Sequence, residues 1–301
     1  MPHAHLLSEA LRVLEVVAAA RLWADAGDCR VRLASCGGEG VGKLWGAVPD
    51  RREVILLDPH WRIAFRMRLG MPIAEQGARC QQRRADERPC LCPLDPEALH
   101  AHLCKAGPAR LRPHRAMARA LGRVVRTAGG HVDYERAMPH LEAPAAQQGQ
   151  EAVLDVVITW PTLLEQHAVD VTIRCPVAAR YNPGAAVPGC TAEQGEAEKR
   201  DRYGHQVMPL AFETWGRLGD KGIAAMKVLA AAARTLASDP RDTRNLLARW
   251  RLELEAALSF AQADVMLLAA GSKAHVVRDG SLAARARVGT RAVQVGCEGG
   301  V

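Results

Sequence analysis

Apolar positions near the start of the chain recur at helical spacing: Leu6, Leu7, Leu11, Leu14, Val17 and Leu22 line one face. That pattern predicts an amphipathic helix over residues 2–25, with Ser8 as an early cap. Residues 36–49 are glycine-rich, residues 53–57 make a short apolar run, and residues 61–69 carry a basic helical pattern. Between residues 79 and 113 periodicity lapses, and Cys, His, Pro and Arg dominate. Regular patterning then returns. Residues 114–127 predict a helix closed by Gly129 and Gly130. Enrichment in Val, Ile and Thr predicts strands over 131–138, 152–160, 168–175 and 207–213. Helical patterns occupy 191–205, 221–237 and 243–270. Past Gly271 no pattern is sustained, which predicts a frayed tail.

Strands and helices mixed in this order predict an α/β (α+β) fold. The 301 residues suffice for one large domain or two smaller ones. Hydrophobic and charged shares of 49% and 24% exclude wholesale disorder. The most apolar N-terminal stretch, residues 11–23, is interrupted by Arg12, Glu15 and Arg21, and no positively charged leader precedes it. We therefore expect no membrane span or secretory signal, and a soluble intracellular protein. A net charge of +7 leans toward polyanionic partners.

Gly37 to Lys43 has the spacing of a phosphate-binding loop, but Leu44 stands where Ser or Thr should ligate magnesium. Gly46 and Pro49 also follow where a helix should open. The expectation is a flexible loop with no nucleotide.

Nine cysteines, an odd number in a long chain, do not make a secreted disulfide framework. Cys90, Cys92, His100 and Cys104 form a four-ligand set of thiolates and imidazole suited to zinc, with Cys80 and His102 in reserve. The Cys-x-Cys pair is tighter than the usual two to four intervening residues; the alternative is a set of scattered buried cysteines. A metal would supply folding energy that this Pro-rich segment lacks.

Two strands each carry an aspartate, Asp155 and Asp170. Paired as a hairpin, these strands would place the two near opposite ends unless a loop or bulge intervened. If they converge, they offer magnesium the hard oxygen ligands it prefers. On the following helix Glu196, Lys199 and Tyr203 share a face. Glu213 and Trp215 read as packing or capping residues. Arginines over 79–88 and 110–126 are candidates for phosphate contact. With aromatics at 4%, a base-stacking platform is not expected to dominate binding.

The order helix–strand–strand–strand–helix–strand, with Glu135, Asp155, Asp170 and Lys199 along it, resembles the PD-(D/E)XK restriction-endonuclease-like fold. More specifically, residues 50–270 resemble the C-terminal region of non-long-terminal-repeat retrotransposon polyproteins. The matching stretches, in order, are Arg68-Leu-Gly-Met-Pro72, the Cys-x-Cys pair, His100-Ala-His-Leu-Cys104, Arg112-Pro-His114-Arg, Leu154-Asp155, Val169-Asp-Val-Thr172, Ala197-Glu-Lys199-Arg-Asp-Arg-Tyr203-Gly and Pro209-Leu-Ala-Phe-Glu213-Thr-Trp-Gly216.

The resemblance implies a mixed sheet flanked by helices beside a zinc knuckle. It implies Asp155 and Asp170 as ligands of Mg2+ or Mn2+, Lys199 as catalytic lysine, Glu135 as a first acid and Tyr203 as the aromatic that follows. Residues 1–75 would be a helical linker, 76–112 the knuckle, 113–238 the endonuclease-like domain, 239–271 a C-terminal helix and 272–301 a tail. Implied partners are DNA, element RNA and a reverse transcriptase acting in trans, in the nucleus. The implied activity is nicking of target DNA to prime reverse transcription; the alternative is an inactive zinc-knuckle nucleic-acid-binding protein on a decayed scaffold. The sequence departs from the pattern at Leu154, where a proline would precede Asp155, and at Thr172, where the regular motif has its lysine. No Tyr-x-Asp-Asp polymerase signature is present.

Overall fold

The computed structural model describes residues 21, 29–106, 111–138, 141, 152–181, 186–237 and 245–272. The helix expected over residues 2–25, Arg21 aside, and the expected tail beyond residue 272 lie outside them. In chain order the longer elements are α1 (Arg30–Cys36), α2 (Asp58–Leu69), α3 (Leu111–Thr127), β1 (His131–Ala137), β2 (Val153–Trp160), β3 (Glu165–Arg174), α4 (Cys190–Tyr203), β4 (Val207–Glu213), α5 (Asp220–Leu236) and α6 (Leu246–Ala269).

The strands form one mixed sheet in the order β1-β2-β3-β4. β1, β2 and β3 are antiparallel neighbours, while β4 lies parallel to β3. A parallel neighbour needs a crossover, and α4 supplies it. Gly195 lets α4 sit close to the sheet: a Cβ there would meet Thr172 Cγ2 at 3.2 Å and Ala211 Cβ at 3.3 Å. The fold is thus a mixed α/β architecture with a four-stranded sheet flanked by helices.

One sheet face, with Val156, Ile158, Val169, Val171 and Phe212, packs against α3, α5 and α6 in the main core. α3 meets it through Met117, Leu121 and Val124, an i, i+4, i+7 stripe. On the other face Val157, Ala168 and Val207 pack with Tyr203.

α6 is buried on nearly every side, so its charged groups are paired. Glu253 meets Arg123 at 3.3 Å, Asp264 meets Arg112 at 2.5 Å, and Arg251 meets Glu39 at 3.0 Å. Its C-terminal part, Val265, Met266 and Ala269, leaves the main core and closes a second one with Cys80, Leu94, Ala101 and Cys104. α6 therefore ties the Cys/His segment to the sheet.

Candidate metal centre and carboxylate site

Residues 79–93 fold as a narrow hairpin. Arg79 bridges Pro93, Arg83 bridges Pro89, and the tip turns through Arg84 to Arg88, whose backbones bond at 2.9 Å. Leu91 adopts the left-handed region at φ 59°, which breaks the strand alternation between its two neighbouring cysteines. Cys90 turns inward beside Cys104 and His100, while Cys92 is exposed. The group that forms is Cys80, Cys90, His100 and Cys104, with all four ligand atoms within 4.8 Å of one another. Cys92, expected as a ligand, is outside it, and the reserve residue Cys80 takes its place. His102 is also outside; burial takes its imidazole down to about 4, and its ring meets Trp215 edge-on.

The spacing fits a tetrahedral ion. Two thiolates on zinc, with bonds of about 2.3 Å, stand about 3.8 Å apart, and Cys80 Sγ lies 3.8 Å from Cys104 Sγ. Cys90 Sγ lies 3.4 Å from His100 Nε2. Each of the three sulfurs also accepts a backbone N–H from two residues ahead: Gln82 for Cys80, Cys92 for Cys90 and Ala106 for Cys104. Burial is the larger influence on Cys80 and Cys104 and raises both thiols, Cys80 to about 12, while the backbone donors pull toward thiolate and help bring Cys90 down to about 6. Cys92 thus serves the site from outside the ligand group, with its backbone N–H and its thiol both hydrogen-bonded to Cys90. His100 is positioned by Asp95, whose carboxylate accepts the N–H of Leu99 at 3.0 Å and of His100 at 3.2 Å. Sequence reasoning underrated Cys80; its signal was the turn sequence at residues 84–88, which folds residue 80 back beside residues 90–92.

The second site lies on the sheet. In the β2–β3 register Val156 faces Val169 and Trp160 faces Glu165, so Asp155 and Asp170 stand directly across from each other. This corrects the expectation that a hairpin would part them. The expected strand began at residue 168, whereas β3 begins at Glu165; the shorter loop shifts the register by three residues and matches the aspartates. Lys199, from α4, forms an ion pair with Asp170 and stands over the Tyr203 ring, 5.9 Å from its centroid. Asp155 accepts the Val171 backbone N–H at 2.7 Å and contacts His114 Nε2 at 3.0 Å. His114, from the Arg112-Pro-His114-Arg stretch, is a site residue that sequence reasoning did not single out.

Burial and the neighbouring Asp155 charge push the Asp170 carboxyl up to about 7, against the opposing pull of Lys199. Desolvation raises Asp155 as well, but His114, the hydrogen bond with Asp170 and the Val171 N–H together outweigh it and hold its carboxyl below the ordinary value. The hydrogen bond to Asp155 raises the His114 imidazole in turn. Burial, with the Asp170 charge, raises the Tyr203 phenol.

Glu135 does not join this network. It lies on β1 across from Asp155 in register, but is exposed with φ 50°. Glu196 turns away too: its carboxylate accepts the Gly222 N–H at 2.7 Å and caps the start of α5. Among the described residues, the Cys/Cys/His/Cys group is the one gathering of three or more metal-ligating side chains. The acidic site thus offers a divalent ion two facing carboxylates, one already engaged by Lys199 and the other by His114, and no third carboxylate among the described residues. Glu213 behaves as the capping residue expected, accepting the Ala192 N–H at 3.3 Å near the start of α4. Trp215 is buried.

The phosphate-loop look-alike does form an anion nest, filled from within. Gly42 takes φ 86° and opens a single helical turn, and the N–H groups of Gly42 and Leu44 donate to the Glu255 carboxylate at 2.7 and 3.2 Å. The loop expected to be flexible is thereby tied to α6, and its anion seat is taken.

A cavity of about 550 Å³ separates the Cys/His module from the end of β3, with Lys105, Arg174, Arg180 and Tyr181 among its lining residues. Pro113, next to His114, also lines it. Compared with protein-family models, curated proteins and solved structures, the chain matches none of them.

Proposed function

We propose that the chain is a nucleic-acid-binding module in which Cys80, Cys90, His100 and Cys104 hold a zinc ion, set on a nuclease-type scaffold. The observation that carries this reading is the hairpin that bears two of the four ligands. The same hairpin presents Arg79, Arg83, Arg84 and Arg88, all exposed, so holding the metal and presenting positive charge are one structural act. Arg83 donates to the Glu87 carbonyl at 3.0 Å and lies 3.7 Å from the Glu87 carboxylate, and Arg88 lies 3.9 Å from Asp86, all exposed contacts that contribute little to stability. The basic cavity beside the module and the net charge of +7 point to the same class of partner. Origin in the C-terminal part of a retrotransposon polyprotein, with DNA and element RNA as partners in the nucleus, belongs to this proposal on the strength of the resemblance.

The test is the salt dependence of binding to a labelled duplex. Each phosphate contact removed flattens the log–log salt slope by about 0.9. Replacing Arg83, Arg84 and Arg88 together by Ala is expected to flatten it by roughly 2 to 3. An unchanged slope removes the hairpin from the interface.

A second reading, a metal-dependent endonuclease, is favoured by one observation: Asp155, Asp170 and Lys199 meet across β2, β3 and α4. A divalent ion held there would supply an activated water and charge neutralisation at a phosphodiester. In that reading the two carboxylates hold the ion, and Lys199 must leave Asp170 to face the phosphate. Glu135 takes no part. Nicking of supercoiled plasmid that requires magnesium and is lost in Asp170→Asn and Lys199→Ala would establish it. Unchanged plasmid, with both variants binding DNA like the parent chain, is the outcome expected of the binding module.

A further inference from the structure

The chain is poor in aromatic residues, yet the fold gathers three of them on one surface. α2 turns His60, Ala64 and Met67 inward, which leaves Trp61 and Phe65, four residues apart, on the adjoining stripe. Their rings stack in parallel, with centroids 5.0 Å apart and 8° between planes. Trp45 extends the group, 5.9 Å from Phe65, and Arg68 lies over Trp45 at 5.8 Å from its centroid.

Trp61 closes the outer end of this row and is 46% exposed. Its ring therefore offers an apolar face to a partner at the end of a preformed stack. Its surroundings are basic: residues 43–68 contain six Lys and Arg against three Asp and Glu. Arg52, Arg62 and Arg66 are exposed. Asp58 meets Arg62 at 3.1 Å with both side chains about 70% exposed; Arg66 donates to the Pro72 carbonyl at 3.1 Å.

We propose that Trp61 is a stacking seat for an unpaired base of a single-stranded nucleic acid, with Arg62 and Arg66 on the neighbouring phosphates. A base placed on Trp61 would continue the Trp61–Phe65 stack, and the flanking guanidiniums match the spaced negative charge of a strand. An apolar protein surface fits less well, since it would desolvate arginines that have few acidic partners nearby. The inference deepens the nucleic-acid reading and rests on it: the metal hairpin meets backbone phosphate, and α2 meets a base.

The test uses the full, zinc-loaded chain with fluorescent oligo(dT), oligo(U), an abasic oligomer of equal length and a duplex. Trp61→Ala is expected to weaken binding of the base-bearing single strands roughly 5- to 150-fold. Affinity for the abasic oligomer and the duplex should stay as it was, and Trp61→Tyr should recover most of the loss. The ratio of oligo(dT) to oligo(U) affinity tells whether DNA or RNA supplies the strand. Equal binding by Trp61→Ala and the parent chain overturns the seat, as does a Trp61→Tyr variant no better than Trp61→Ala. If the parent chain binds none of the probes, the nucleic-acid reading itself fails.

Discussion

Cys80→Ser and Cys104→Ser are expected to lose the zinc and to unfold residues 79–106, whereas Cys92→Ser keeps both. The apolar groups that close the module are limited in number: Leu94, Ala98, Ala101 and Ala106, with Met67 and the partly buried Ile63 and Ile73 and the end of α6. So small a core does not hold a segment of this size by itself. A structural zinc contributes on the order of 10–16 kcal/mol in zinc-finger peptides, so in the proposed module the metal would be the main source of order. Loss of either buried thiolate leaves three ligands and an open coordination position. Loss of Cys92 removes an exposed sulfur and keeps the backbone N–H that Cys90 accepts. The checks are zinc per chain by elemental analysis and exchange of the Gln81 amide, which donates to the Ala269 carbonyl on α6 at 2.8 Å. A Cys92→Ser protein without zinc, or a Cys80→Ser protein with a full equivalent, would refute the ligand set.

The next largest effect is expected from Lys199→Met. Asp170 is buried and paired with Lys199, and removing one partner of a buried pair costs about 3–5 kcal/mol. That cost applies where Asp170 is ionised, so the variant should be hurt most above neutrality and least near pH 5. Asp170→Asn in the same chain should restore most of the stability.

The metal-free parent chain has its own pH dependence. Asp170 is raised to about 7, so between its ordinary value and 7 the folded chain keeps a proton that the unfolded chain has released. The Asp170 contribution is full below the ordinary carboxylate value, is lost as pH rises to about 7, and is level above that. His114, raised by Asp155, acts in the same direction: its contribution is present below the ordinary histidine range and fades as pH climbs through its raised value. Asp155 is lowered and acts oppositely, its contribution disappearing only in stronger acid. Urea unfolding across pH 4–7 should therefore slope downward in the parent chain and more gently in Asp170→Asn. A parent chain that gains stability between pH 4 and 7 would contradict this balance of charges.

How much of this was legible in the sequence varies with the kind of interaction involved. β2 and β4 are largely buried apolar runs, and their Val, Ile, Leu and Phe content marks them directly. The start of β3 was missed because Glu165, Gln166 and His167 are polar; a ladder held by backbone hydrogen bonds does not require apolar side chains. That small error moved the two aspartates apart on paper and hid their pairing. Cys92 and Cys90 are equivalent in spacing, and only the left-handed turn at Leu91 decides between them. His114 could not be found by counting, since it reaches Asp155 from a helix forty-one residues earlier. Glu255 filling the nest at Gly42 is likewise a contact over more than two hundred residues. Trp61 and Phe65 sit four apart in plain sight, but low aromatic content drew attention away from their placement.

The most direct measurement is a binding titration of the full chain against labelled DNA, with zinc bound and after chelation, over a range of salt. Tight, salt-sensitive binding is expected of the zinc-loaded chain, and a weaker, flatter profile once the metal is removed and the arginine hairpin loses its shape. Equal affinity and equal salt slope in the two states would contradict this expectation.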